Sequence, residues 1–168
     1  MLTIRQAAPE DAPAVAALLN ELAATTGQMV IVPIDPSRLG AVAENLRRLA
    51  SGGQHFLLLA SLDDTAAGFL MTSGESHPDR RGVIEIDLGI LEPHRGRGIG
   101  RRLLREAETL ALARGVHRMQ LRVLTGNVRA IGLYLKEGYR VEGLMEQVLR
   151  RGDALESQYM MAKIIRPS

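Results

Sequence analysis

The chain has 168 residues, 46% of them hydrophobic, enough for one full core and too few for two ordinary domains, so a single domain over residues 1–168 is expected. Its 21 Lys and Arg against 19 Asp and Glu leave a formal charge of +2, and two Phe, three Tyr and no Trp offer few stacking platforms, which argues against a nucleic-acid partner. Absence of cysteine removes disulfides and thiolate chemistry, while the lack of an apolar run of roughly 18 residues or of a secretory leader after Met1 argues against a membrane partner and for a cytoplasmic location.

Residues 3–6 read as a short strand. Asp11 is placed to cap a helix carrying Val15, Leu18, Leu19 and Leu22 at helical spacing, which Thr25-Thr26-Gly27 ends. Asp35-Pro36 opens a second helix with Leu39, Val42, Leu46 and Leu49 inward, stopped by Ser51-Gly52-Gly53. The connection between them, through Val30-Ile31-Val32-Pro33, is unusually apolar. Residues 56–60 and 67–72 form a hairpin around Leu62-Asp63-Asp64-Thr65, and a loop over 74–82 leads into a longer strand, 83–91. A third helix spans about 99–113 with Gly115 past its end, and a strand at 119–123 follows; this βαβ unit makes the two strands parallel. Asn127 caps a fourth helix bearing Ala130, Ile131, Tyr134 and Leu135, closed by Gly138. The C-terminal part is a hairpin, 139–149 and 155–165, around Arg151-Gly152-Asp153. The order βααβββαβαββ predicts an α/β fold, a mixed seven-stranded sheet flanked by four helices.

Arg95-Gly96-Arg97-Gly98-Ile99-Gly100 joins the strand at 83–91 to the third helix. Backbone N–H groups at a helix start converge on phosphate, and glycine lets the ligand come close, so this turn suits a diphosphate. Arg101, Arg102 and Arg105 on the next turns either hold a compact anion or form a solvated basic face. The dinucleotide spacing G-x-G-x-x-G is absent. His55, His77, His94 and His117 lack mutual metal-ligand spacing, and no metal is expected. Glu85 and Asp87 lie on the strand face opposite Ile84, Ile86, Leu88 and Ile90. Carboxylates within a central strand are costly unless they serve a cavity or have partners; for Glu85 the partner would be Arg118 or Arg122.

The element order, together with Arg95-x-x-Gly98-x-Gly100 after a strand and Asn127-x-x-Ala130-x-x-x-Tyr134-x-x-x-Gly138-Tyr139, resembles the GNAT family of acyl-CoA-dependent N-acetyltransferases over most of the chain. Ile4-Arg5-x-Ala7 with Asp11 also looks like the family's usual opening. The resemblance implies the GNAT fold, acetyl-CoA as cosubstrate, CoA as product, and acetyl transfer to a primary amine by direct attack on the thioester. It implies that the strand before the glycine turn splays from its parallel neighbour and admits the pantetheine arm. On this chain Leu88, Gly89 and Ile90 would bond that arm through their backbone. Gly96, Arg97, Gly98, Ile99, Gly100 and Arg101 would surround the pyrophosphate, and Asn127 would contact CoA or simply cap its helix.

Tyr134 matches the family's tyrosine that protonates the departing thiolate. A phenol near 10 stays protonated where a thiol near 8.5 begins to ionise. Glu85, about 10 Å along the strand from Leu88, is preferred to Asp87 as the base, acting through one or two waters. Arg122 stands where the ribosomal-protein N-terminal acetyltransferases of this family carry a catalytic glutamate. The Gly152-Asp153-Ala154-Leu155-Glu156 hairpin looks more like members that modify small amines. A small-molecule amine acceptor is therefore expected, bounded by 28–34, 73–81 and the last hairpin; a homodimer is left open. A catalytically weak acyl-CoA sensor, and a protein N-terminal or lysine acetyltransferase, are the alternatives.

Overall fold

The computed structural model describes residues 1–74 and 77–166; positions 75 and 76 of the expected loop at 74–82 lie outside the described residues. The strands are β1 (Leu2–Gln6), β2 (Leu57–Leu62), β3 (Thr65–Ser73), β4 (Val83–Ile90), β5 (Arg118–Leu124), β6 (Arg140–Arg151) and β7 (Ala154–Ile164). The helices are α1 (Ala12–Thr25), α2 (Leu39–Ala50), α3 (Ile99–Ala113) and α4 (Val128–Lys136). The strands form one sheet in the order β1-β2-β3-β4-β5-β7-β6. Only β4 and β5 run parallel, joined by α3, so the expected mixed sheet and βαβ unit are both present.

The pleat divides the apolar side chains between two cores. Ile84 and Ile86 of β4, Leu121 of β5 and Met161 of β7 pack with Leu103 and Ala107 of α3 and Tyr134 of α4. On the other face Leu57 and Leu59 of β2 and Phe69 of β3 meet Val15, Leu18 and Leu22 of α1 and Leu46 of α2. No helix among the described residues is long and apolar enough to cross a membrane.

Three local features depart from the sequence expectation. Asp11 does not cap α1. Its carboxylate accepts a two-pronged bond from Arg5 (2.6 and 2.7 Å) and the Ala8 N–H (2.8 Å), which ties β1 to the turn before the helix. The Arg5 bond holds the Asp11 pKa below its ordinary value. The β2–β3 hairpin is tighter than expected: Asp63 and Asp64, at φ +46° and +65°, make a two-residue turn, and both strands reach it. Likewise β6 and β7 are separated only by Gly152 and Asp153, with register breaks along β6 at Val141/Gly143 and Met145/Leu149.

At the top of β3, Gly68 faces Ile90, and a Cβ there would stand 2.8 Å from the Gly89 carbonyl oxygen. Backbone cannot give way as a flexible side chain does. Gly68→Ala is expected to lower stability by about 1–3 kcal/mol. Gly40→Ala in α2, where nothing lies within 4 Å, is expected to raise it by about 0.5–1 kcal/mol. Urea denaturation of the two variants beside the parent checks the opposite signs.

Candidate active site

β4 and β5 pair at only three positions, Val83 with Arg118, Ile84 with Met119 and Glu85 with Gln120, and then part. The Arg118 N–H bonds the Gly82 carbonyl (3.1 Å), so the even-numbered residues of β4 turn their polar backbone groups toward β5. The odd-numbered ones face β3, as the Leu91 N–H on the Ala67 carbonyl (3.0 Å) shows. Beyond the parting, Leu88 and Ile90 therefore direct N–H and C=O groups into the gap. The Ile90 carbonyl already accepts Arg95 Nε at 3.1 Å. Gly89 differs from the expectation, because its backbone is turned to Phe69 on β3. What it contributes is a missing side chain: a Cβ would lie 2.7 Å from the Phe69 ring and 2.8 Å from Leu22 Cδ1.

A cavity of about 610 Å³ occupies the gap. Leu88, Gly89 and Ile90 form one wall, Gly96, Gly98, Ile99, Gly100 and Arg101 the mouth, and Asn127 with α4 the opposite wall. Gly98 precedes the first residue of α3 at φ +77°, with nothing within 4 Å of where a Cβ would be. The free N–H groups of the first turn of α3 thus lie beside open space. Gly100, which also lines the mouth, serves packing as well. A Cβ there would meet Leu133 Cδ2 at 2.9 Å and Ile90 Cδ1 at 3.2 Å, so this glycine lets α3 close on α4 and β4. Arg97 is exposed and is not one of the lining residues.

The charged side chains lining this cavity, Arg95, Arg101, Arg129 and Lys136, are all positive among the described residues. Arg101 Nε is held by Glu137 Oε1 (2.8 Å), whose other oxygen takes Arg105 Nε (3.2 Å), which fixes α3 against the end of α4. Asn127 Oδ1 accepts the Ala130 N–H (3.2 Å), so Asn127 caps α4 and also lines the cavity. The sequence reading missed Arg129 and Lys136. Their signal was available, since Arg129, Gly132, Leu133 and Lys136 fall on one face of α4 at helical spacing.

Tyr134 is buried in the core, its ring 5.7 Å from that of Tyr139 at 59°. Burial, and secondarily the charge of Asp87, push its hydroxyl well above the ordinary phenol range. Glu85 is engaged rather than unpartnered: its Oε1 accepts Arg122 Nε at 2.8 Å and Nη2 at 2.6 Å. Of the two partners considered, Arg122 is the one present, because Arg118 is taken by Glu142 and Gln120. Asp87 is exposed, yet protein packed around it and then the neighbouring Glu85 raise its pKa, against an opposing pull from Arg122. At the edge of this face Arg151 pairs with Glu156 (3.0 Å) and reaches the Met29 carbonyl (3.4 Å), which braces the loop after α1 against the last hairpin.

Such a parted parallel pair, with a glycine turn at its mouth, is also a family feature. The profile of the acetyltransferase (GNAT) family matches residues 17–139. The chain belongs to the GNAT acetyltransferase family. A curated relative in this family, the L-methionine sulfoximine/L-methionine sulfone acetyltransferase of Pseudomonas aeruginosa, is 30% identical over 152 residues, covering 87% of this chain and 84% of that protein. A GNAT acetyltransferase structure from Streptococcus pneumoniae superimposes with a TM-score of 0.92 at 29% identity, over 99% of this chain and all of that one. The yncA structure from Salmonella typhimurium, solved with its cofactor acetyl-CoA, gives a TM-score of 0.86 at 22% identity over 100% of this chain and 96% of that one. This chain is accordingly a transferase with the GNAT fold.

A carboxyl whose pKa is raised by folding stabilises the native state only where it is protonated, and that contribution is lost as pH rises through the folded pKa. Asp87→Asn is therefore expected to raise the melting temperature at neutral pH, with the gain shrinking as pH falls to about 4. Thermal melts at both ends of that range check it; an equal effect at both would show that the Asp87 charge carries no penalty.

Proposed function

We propose that this chain, as a single domain, transfers the acetyl group of acetyl-CoA to the primary amine of a small molecule. The observation that carries this reading is the parted β4–β5 edge opening onto a cavity whose charged lining side chains, among the described residues, are all cations. A pantetheine arm is peptide-like and suits the backbone groups of Leu88 and Ile90. A pyrophosphate suits the start of α3, where Gly96, Gly98 and Ile99 leave room, Arg101 adds charge, and Arg97 contributes only through the backbone of the turn. Gly100 supports that start by close packing, and Asn127 contacts the ligand from its cap position. One relative is named as an acetyltransferase of L-methionine sulfoximine and L-methionine sulfone, two small molecules, and the yncA structure holds acetyl-CoA, which supports both halves of the reading. A cytoplasmic location, with acetyl-CoA at hand, is part of this reading.

In the reaction the amine nitrogen bonds the acetyl carbon, the C–S bond breaks, and its electron pair leaves on sulfur. Tyr134 supplies a hydrogen bond or proton to that sulfur; burial keeps the hydroxyl protonated for the task. Glu85 takes the ammonium proton through water, with Arg122 fixing its orientation through one oxygen. One observation favours a second assignment of the base. Asp87 is a residue from the gap, is not ion-paired to Arg122, and has its pKa raised above the ordinary carboxylate value, the direction that suits a base.

Tyr134→Phe is expected to keep CoA affinity and thermal stability while lowering turnover by roughly 10²–10⁴-fold. Full activity, measured where chemistry limits the rate, would remove Tyr134 from the mechanism. Gly98→Val is expected to abolish CoA binding by calorimetry, because the side chain enters open space at the mouth and a branched residue resists positive φ. For the base, Glu85→Gln and Asp87→Asn are compared across pH. The true base is the one whose loss at neutral pH recovers as free amine accumulates at higher pH. CoA binding without turnover of any amine would assign the chain as a sensor.

A further inference from the structure

Helix α4 carries a glycine that packing does not explain. Gly132 stands in the middle of the helix, where glycine is less favourable than alanine, and nothing lies within 4 Å of the position its Cβ would take. Gly89 and Gly100 differ, with atoms 2.7 and 2.9 Å from theirs. The open space above Gly132 belongs to the cavity at the β4–β5 gap, which Gly132 lines.

Arg129, one turn before Gly132, and Lys136, one turn after it, share that face of α4 and line the same cavity. They start about 10 Å apart along the axis at 1.5 Å per residue, a span that two long side chains can close onto one anion. Both are exposed, and neither makes an ion pair or a side-chain hydrogen bond among the described residues. The other two lining cations are engaged, Arg95 Nε on the Ile90 carbonyl and Arg101 Nε on Glu137. Arg129 Nη2 lies 3.5 Å from where a Gly96 Cβ would stand, so this seat opens onto the same space as the start of α3 while being built on another helix.

A diphosphate at the start of α3 is met by backbone N–H groups, and it leaves Arg129 and Lys136 unanswered. A carboxylate would answer one of the two charges. A phosphate monoester carries about −1.5 to −2 at neutral pH with three acceptor oxygens, which suits a guanidinium fork on one side and an ammonium on the other. CoA bears such a monoester on its ribose, at the end of the molecule away from the thioester.

We propose that Arg129, Gly132 and Lys136 form the seat of the 3′-phosphate of CoA, so that the chain selects a nucleotide-borne acyl group over the same group on a pantetheine arm without that phosphate. The proposal rests on the acetyl-CoA reading above and names what that donor must carry. Gly132 is the space the phosphate fills, and the two cations are specificity determinants for the donor.

Calorimetry of the full chain with CoA and with 3′-dephospho-CoA tests the seat. The parent is expected to bind CoA about 25-fold more tightly, two exposed charge pairs at about fivefold each. Arg129→Gln and Lys136→Gln should each lower that ratio about fivefold by weakening CoA alone, and added salt should shrink the ratio of the parent. Gly132→Leu should erase the preference by filling the seat. Gly132→Ala should raise the melting temperature, because helix propensity improves and no neighbour is displaced; a fall would show that the glycine is there for packing and would count against the seat. A parent ratio near one, a ratio unmoved by both cation variants, or equal losses for the two ligands would overturn the proposal. Inorganic phosphate bound as tightly as CoA would assign the seat to a free anion and overturn it as well. Equal, tight binding of CoA and 3′-dephospho-CoA leaves the acetyl-CoA reading standing and sinks only this proposal. Failure of both ligands to bind would overturn the acetyl-CoA reading itself.

Discussion

The structure turns on two parallel strands that are prevented from pairing. β5 is committed to β7 along its whole length, Arg118 with Ile164 through Leu124 with Gln158, and β4 is committed to β3 from Glu85 to Ile90. Neither strand is free to swing across, so after Glu85 and Gln120 the inner edges stay apart. An unmet buried N–H or C=O costs about 1–3 kcal/mol, and the fold offsets one such group by bringing Arg95 back to the Ile90 carbonyl. The others stand at a cavity that a peptide-like ligand would complete. Binding energy is thus prepared in the backbone rather than in side chains.

The sheet also separates two electrostatic settings. At the gap the lining charges are positive and the start of α3 adds its own partial positive charge. On the face carrying Glu85 and Asp87, these acids of β4 stand beside Arg122 of β5. Tyr134, which lines neither cavity, projects from α4 into the core yet feels the charge of Asp87. Burial alone would keep a phenol neutral; an anion nearby does so further. The combination opposes ionisation of the hydroxyl in the resting protein and leaves it available as a donor.

What was legible in the sequence was local chemistry. The strand, glycine turn and helix around Arg95–Gly100, the Asn127 cap and the element order all follow from residue types at fixed spacing, and all are present. What was not legible depended on tertiary partners or strand phase. Asp11 fits a cap by pattern, but Arg5, brought alongside by the β1 strand, wins its carboxylate. Gly100 belongs to the phosphate motif by spacing, and Leu133, thirty-three positions on, adds a packing demand that the spacing does not show. Gly89 alternates with Leu88 and Ile90, so only the hydrogen-bond phase of β4 tells which of the three faces the gap. Face assignment from alternation put Glu85 and Asp87 together correctly, yet could not rank Arg118 against Arg122 as the partner.

Arg122 explains why two neighbouring carboxylates coexist on this face. Unrelieved, two carboxylates this close on one strand face repel each other. The guanidinium bonds Glu85 directly and acts on Asp87 only through space, so its stabilisation is unequally shared. Asp87 remains the carboxyl on which burial and the Glu85 charge prevail. A glutamate in place of Arg122 would add a third acid to this face and remove the counter-charge that opposes the rise of the Asp87 pKa. The identity of this one residue on β5 therefore governs the charge that stands beside Glu85 and Asp87 on β4.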